Sequence, residues 1–203
     1  EDQGRSDRTE ALYKQTIAMY EKKFGPDHAD IVTALGNLAF FYEQQKRYAD
    51  AEPVYKRAIS IYSKTFGTRH RSLAPYFKKL ALLYNKLNKN FQAVPLFQRV
   101  LDINEKSYGK VHPFVASDLM NLADAYRLLG EYEQVESLYH RALNTWDEIL
   151  GDTPEMHSVL DHMADKFRAI KKKKIARKLR KRAKAIRKQY NLTEVEALNE
   201  IDN

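Results

Sequence analysis

Apolar residues recur along the chain at intervals of three and four, and blocks of this pattern return every 42 residues. Leu35, Leu38, Ala39 and Tyr42 share one helical face; Ala51, Val54, Tyr55, Ala58, Ile61 and Tyr62, continuing to Phe66, share another. The segments 51–67, 93–109 and 135–151 align without a gap, as do 35–42 and 119–126. Gly25, Gly67, Gly109 and Gly151 keep the same 42-residue interval, and so do His28, His70 and His112, and Tyr13, Tyr55, Phe97 and Tyr139. Such self-similarity marks stacked repeats, each a unit that buries its apolar stripe only against its neighbours.

Each unit reads as two helices. Pro53 and Pro95 are placed in the first turn of the second helix, where a missing N–H costs little. The periodic glycine follows the last turn, where a left-handed residue is wanted. Small residues at Ala39, Ala51 and Ala58 allow two helices to approach, and the rings of Tyr42 and Tyr55 fill the space beside them.

The order Leu38, Ala39, Tyr42, Ala51, Tyr55, Ala58 is repeated as Leu80, Ala81, Tyr84, Ala93, Phe97, Val100, and again as Leu122, Ala123, Tyr126, Val135, Tyr139, Ala142. This resembles the tetratricopeptide repeat family, in its 42-residue variant known from kinesin light chains. The resemblance spans roughly residues 9–190 and implies an all-α fold, a right-handed α-solenoid of helix-turn-helix repeats. A half repeat is expected at 8–25, full repeats at 29–67, 71–109 and 113–151, and a degenerate capping repeat at 155–190. In that last unit Met163, Ala164 and Phe167 continue the pattern after a one-residue deletion, and Arg180 takes the aromatic place. Residues 9–24 match only a second helix, either because upstream repeats are missing or because a lone helix caps the stack. In the tail 191–203, Thr193 and Glu196 have capping-box spacing for a short tenth helix.

The family implies a protein-binding scaffold whose first helices line a concave groove. There, an Asn before the Leu-Ala pair holds the backbone of an extended peptide, since an amide both donates and accepts. Asn37 and Asn121 occupy that place, Lys79 and His162 replace it elsewhere, and the competing role is to tie one helix to the next. Helical offsets add Thr33, Gly36, Phe40, Glu43 and Gln44, then Pro75, Lys78, Leu82, Asn85 and Lys86. The third unit adds Ser117, Met120, Asp124, Arg127 and Leu128, and the fourth Ser158, Asp161, Asp165 and Arg168. The groove so drawn runs from apolar through basic to mixed and acidic. Its partner is another protein, an extended peptide or a helix, with no cofactor required.

Composition changes this picture at one place. The net charge of +8 is local: between Lys171 and Lys188, 12 of 18 residues are basic, while the rest of the chain carries 23 basic and 27 acidic residues. Ile175, Leu179, Ala183, Ile186 and Tyr190 supply an apolar stripe, so an amphipathic helix should close the solenoid by packing on 155–169. The economical reading of its charge is a solubilising cap. The alternative is docking to a polyanion (nucleic acid, an anionic membrane or an acidic protein) through Lys172, Lys174, Lys178 and Lys181. Aromatic residues do not interleave with the cations, so base stacking is not indicated.

Other chemistry is not signalled. There is no cysteine, no Gly-rich phosphate loop and no triad signature, so an enzyme is not expected. His28, His70 and His112 lie one repeat apart, too far to share a metal ion, and capping of the following helix accounts for them. His157, Asp161 and Asp165 share a helical line and read as a solvated acidic edge rather than a metal site. No apolar run could span a bilayer, which favours a soluble, cytoplasmic protein; the chain opens without an initiator Met.

Overall fold

The computed structural model describes residues 2–192, which form nine α-helices, one short 3₁₀ turn and no strand. The helices are α1 (Asp2–Phe24), α2 (Ile31–Gln44), α3 (Tyr48–Phe66), α4 (Ala74–Lys86), α5 (Asn90–Tyr108), α6 (Pro113–Leu129), α7 (Tyr132–Leu150), α8 (Met156–Ala169) and α9 (Lys173–Tyr190). The helix expected from Thr193 and Glu196 lies outside the described residues. The chain divides into two compact units, Glu1–Ile103 and Asn104–Asn203. Each is a solenoid-type stack of helix hairpins. In the first, α2 packs on α1 and α3, and α3 on α4; in the second, α6 packs on α7, α7 on α8, and α8 on α9.

One turn design closes every hairpin. Lys46, Asn88, Gly130 and Lys171 all adopt positive φ, between 57° and 80°. The next residue's N–H returns to the carbonyl of the consensus aromatic: Arg47 to Tyr42 and Lys89 to Tyr84 at 2.8 Å, Glu131 to Tyr126 at 3.0 Å, Lys172 to Phe167 at 2.9 Å. This is the Schellman arrangement, which satisfies the carbonyls a helix end leaves open. Three of the four left-handed residues are not glycine, so composition alone does not reveal the turn.

The links between repeats are built differently. Gly67, after α3, has φ 84° and ψ 155°, and Gly151, after α7, has φ 58° and ψ −133°. Positive φ is as expected, but ψ is extended rather than left-handed helical, a region essentially open to glycine alone. The chain thereby leaves the helix extended and reaches the histidine. Nδ1 of His28, His70 and His112 then accepts the N–H two residues on, from Asp30 and Ser72 at 3.3 Å and from Phe114 at 3.2 Å. His70 and His112 are thus helix caps, as their spacing implied, whereas His28 closes the turn ahead of α2, whose N-cap is Asp30.

Pro53 and Pro95 differ from expectation. Because α3 starts at Tyr48 and α5 at Asn90, both prolines fall in the second turn, not the first. Each removes one intrahelical bond there.

The predicted small residues Ala39, Ala51 and Ala58 are buried, as are Tyr42 and the fully enclosed Tyr55. Within the first unit Leu73, Ala74 and Phe77 pack with Val100 and Ile103 of α5. Phe97, Tyr139 and Phe167 are among the largest enclosed side chains, and burial of one such ring is worth about 1.5–3 kcal/mol. α1 has the sequence of a second helix. Its Met19 is 71% exposed, whereas Ile61 at the equivalent place in α3 is 1% exposed.

Candidate partner-binding site

In the second unit α6 and α8 lie on either side of a cavity of about 510 Å³. Ser117, Met120, Asn121 and Asp124 come from α6, Ser158, Val159, His162 and Lys166 from α8, and Trp146 from α7. The helical register explains the grouping, since residues three and four apart share a face. Six of the residues placed toward the groove by their offsets, Ser117, Met120, Asn121, Asp124, Ser158 and His162, are therefore brought together. Val159, Lys166 and Trp146 are additions that the repeat alignment did not supply.

Most of the charge in this wall is already satisfied. Asp124 accepts from the Tyr139 hydroxyl at 2.6 Å and from the Lys166 ammonium, and Arg127 Nε stands 3.6 Å away. Burial, then the bond to Asp124, pushes the Tyr139 hydroxyl well above the usual phenol range, so it stays a donor. The His162 imidazole is pushed below the usual histidine range by desolvation and by Lys166. Asn121 is different. Its amide makes no hydrogen bond within the described residues, although it is half-buried on the cavity wall.

In the first unit the expected residues fall on α2 and α4. Asn37 is exposed and likewise without a hydrogen bond among the described residues. Phe40 is 47% exposed, with Lys79 Nζ 4.5 Å above its ring, a cation–π contact. Leu82 is exposed, Lys78 is half-buried, and Asn85 is half-buried with its Oδ1 unpartnered. Gly36 does not face open space: a Cβ there would stand 2.9 Å from the Tyr76 ring, which packs over it.

The acidic character expected of the groove is also corrected. Glu43 accepts from Tyr55 at 2.6 Å and from Lys86 at 3.2 Å. Asp165 is bound by Arg180 and Asp161 by Arg187, each at 2.5 Å. The two aspartates pair with α9, the second helix of their own repeat, and Asp165 stays 66% exposed, so the edge is solvated but ion-paired. His157 is buried, its Nδ1 2.6 Å from the Pro154 carbonyl. Among the described residues no three His, Asp or Glu side chains are grouped to hold a metal ion.

Two ladders of ion pairs repeat with the fold. In one, the turn cation reaches the preceding second helix: Arg47 to Glu10 at 2.5 Å, Lys89 to Glu52 at 2.7 Å, Lys172 to Glu136 at 2.6 Å. In the other, an arginine midway along the second helix reaches the end of the previous one: Arg57 to Glu21 at 2.5 Å, Arg141 to Glu105, and Arg182 to Asp147 at 2.6 Å. Arg99 keeps the place but bonds the Thr68 carbonyl at 2.9 Å. Lys172, expected to be free for a polyanion, is thus a structural pair. The available signal was the recurrence of Lys172 with the turn cations Arg47 and Lys89, and of Arg182 with Arg57, Arg99 and Arg141, at the repeat interval less the one deleted residue in the last unit.

α9 begins at Lys173 rather than Lys171, which is in the turn, and packs on α8 through Ala176, Leu179, Ala183 and Ile186. Ile175, expected to be buried with them, is only half-buried. No helix among the described residues is long and apolar enough to cross a membrane.

The model of the tetratricopeptide repeat family matches residues 1–64, 30–106 and 72–139. Among solved structures, a kinesin-light-chain-like protein with nearly identical TPR-like repeats from Podosopora anserina is similar over 95% of this chain and 92% of its own, with 21% identity and a TM-score of 0.81. BtubC (BKLC) from P. vanneervenii is similar over 95% of this chain and 77% of its own, at 20% identity and a TM-score of 0.78. MamA is similar over 92% and 95%, at 17% identity and 0.59. No curated protein matches by sequence. At these identities the structures speak for the fold alone, while the family model covers most of the chain. The chain belongs to the tetratricopeptide repeat family, whose repeats serve as scaffolds for binding other proteins.

Proposed function

We propose that this scaffold holds an extended segment of a partner protein in the cavity between α6 and α8. The Asn121 amide bonds the segment's backbone, and an apolar side chain enters beside Met120, Trp146 and Val159. Asn37, with Phe40 and Lys79, offers the equivalent contact in the first unit. The observation that carries this reading is that the Asn121 amide, on the cavity wall, has no hydrogen-bond partner among the described residues, while the carboxylate beside it is already bound. An amide tying one helix to the next would have a protein partner. The neutralised charges favour an uncharged side chain over an acidic one at this place, because Lys166 is committed to Asp124. The role is non-catalytic: binding requires only hydrogen bonds and apolar contact.

The test is selection of binders from a random-peptide display library on the intact chain, followed by mapping with isotope-labelled protein. Chemical shifts should move at Ser117–Asp124 and Ser158–Lys166. Shifts confined to other surfaces would refute the reading.

A further inference from the structure

α9 carries two kinds of cation, and the structure separates them. Three of its four arginines complete the fold: Arg182 binds Asp147 and Asp152, Arg180 binds Asp165 and Arg187 binds Asp161. Lys174, Arg177, Lys178, Lys181, Lys184 and Lys188 are all exposed and have no ion-pair partner among the described residues. At 3.6 residues per turn these six lie within an arc of about 120°, directly opposite the buried stripe, along about 21 Å of helix. Arg182 bounds the arc on one side, Arg180 and Arg187 on the other. The cap is complete without the six. Like charges three and four residues apart also repel, so closing the solenoid does not explain their concentration.

We propose that this ridge is a sequence-independent contact surface for the phosphate backbone of duplex nucleic acid. The chemistry of the ridge selects among polyanions. It presents no exposed aromatic or large apolar side chain within the arc (only Ala185), so neither base stacking nor insertion into a bilayer is available. Five of the six are lysines, which act as point charges toward phosphate rather than reading base edges in a bidentate manner. Against an acidic polypeptide the ridge would form only exposed salt bridges, which contribute little individually. A duplex adds the release of condensed counterions for each phosphate neutralised, which needs no apolar contact. A membrane plane would also meet Asp165 and Asp152, whose side chains are 66% and 64% exposed beside the ridge. A narrow strand of phosphates follows the ridge between them.

The test uses the intact chain and a fluorescent duplex of about 20 base pairs and arbitrary sequence, titrated by anisotropy at salt from about 50 to 300 mM. Six contacts predict a slope of log K against log salt of about −5. The variant K178Q/K181Q/K184Q/K188Q should reduce this to about −2, and K174Q/R177Q should reduce it to about −4. K106Q/K110Q, at exposed lysines of α5 and the following loop, should match wild type. Circular dichroism should show all variants folded; the two ridge variants are independent, so failure of one to fold leaves the other decisive. Absence of duplex binding at the lowest salt would overturn the proposal. So would an unchanged slope in the ridge variants, or binding to phosphatidylserine vesicles or polyglutamate without binding to the duplex.

Discussion

Arg180 donates to Asp165 at 2.5 Å in the place where, one repeat earlier, Tyr139 donates to Asp124 at 2.6 Å. The closing repeat keeps the link between its two helices but changes its chemistry from an enclosed phenol to a solvated ion pair. Tyr139 has no exposed surface, whereas the Arg180 and Asp165 side chains are 47% and 66% exposed. Phe167 meets the Tyr139 ring edge-on, with centroids 5.7 Å apart.

The two links should therefore differ in worth. Tyr139→Phe loses a part-buried hydrogen bond and should cost about 0.5–1.5 kcal/mol. Arg180→Ala loses an exposed pair and should cost at most about 1 kcal/mol, with a value near zero expected. Urea unfolding of both variants checks the order. A larger loss for Arg180→Ala would mean that the closing repeat depends on the ion pair.

The glycines separate two reasons for the residue. Gly67 has φ 84° with extended ψ, so Gly67→Ala should cost about 1–3 kcal/mol through backbone strain alone. Gly36 lies within α2, where alanine gains about 0.5–1 kcal/mol of helix preference. There the methyl meets only the Tyr76 ring, a side chain that can shift. The thermal midpoint should fall much further for Gly67→Ala than for Gly36→Ala; equal shifts would contradict the argument.

His112 caps α6 through Nδ1 and stacks on Tyr108 with ring centroids 4.5 Å apart. His112→Ala should cost about 0.5–2 kcal/mol, and His112→Asn should recover the capping part of the loss. Failure of Asn to recover any stability would assign the histidine's worth to stacking instead.

The fold was legible because each 42-residue block repeats both apolar stripes, and those stripes set which faces are buried. The hairpin turns were less legible, since Lys46, Asn88 and Lys171 adopt a conformation that glycine usually marks. The site was legible in its centre, at Asn121 and Asp124. Its far wall was legible only in part: Ser158 and His162 were placed there, but Val159 and Lys166 come from a repeat shifted by one residue. Charge patterning misled most: a list of cations does not tell Lys172, held by Glu136, from Lys178, which has no ion-pair partner among the described residues.

Acid should weaken the first unit at a predictable place. Bonds from Arg47 and then Lys14 hold the Glu10 carboxyl down at about 2, below its ordinary value of 4.5. A depressed carboxyl contributes stability that is present above the unfolded value and lost as pH falls through the folded one. The loss should therefore occur between about pH 4.5 and pH 2, and amount to about 1 kcal/mol once solvent screening of the exposed Arg47 is allowed for. Wild type and Glu10→Gln should differ in stability at neutral pH and converge near pH 2 in urea titrations. A difference independent of pH would show that charge at Glu10 is not the cause.

The Asn121 amide in the second unit, without a hydrogen-bond partner among the described residues, is proposed to bind a partner's backbone. The most direct measurement is calorimetric titration of a display-selected peptide into wild type, Asn121→Ala and the four-lysine ridge variant. Loss of a donor and an acceptor, each worth about 0.5–1.5 kcal/mol, predicts affinity about 5- to 150-fold weaker for Asn121→Ala, with the fold intact and the ridge variant unchanged. Equal affinity for wild type and Asn121→Ala, or a loss in the ridge variant alone, would contradict the account.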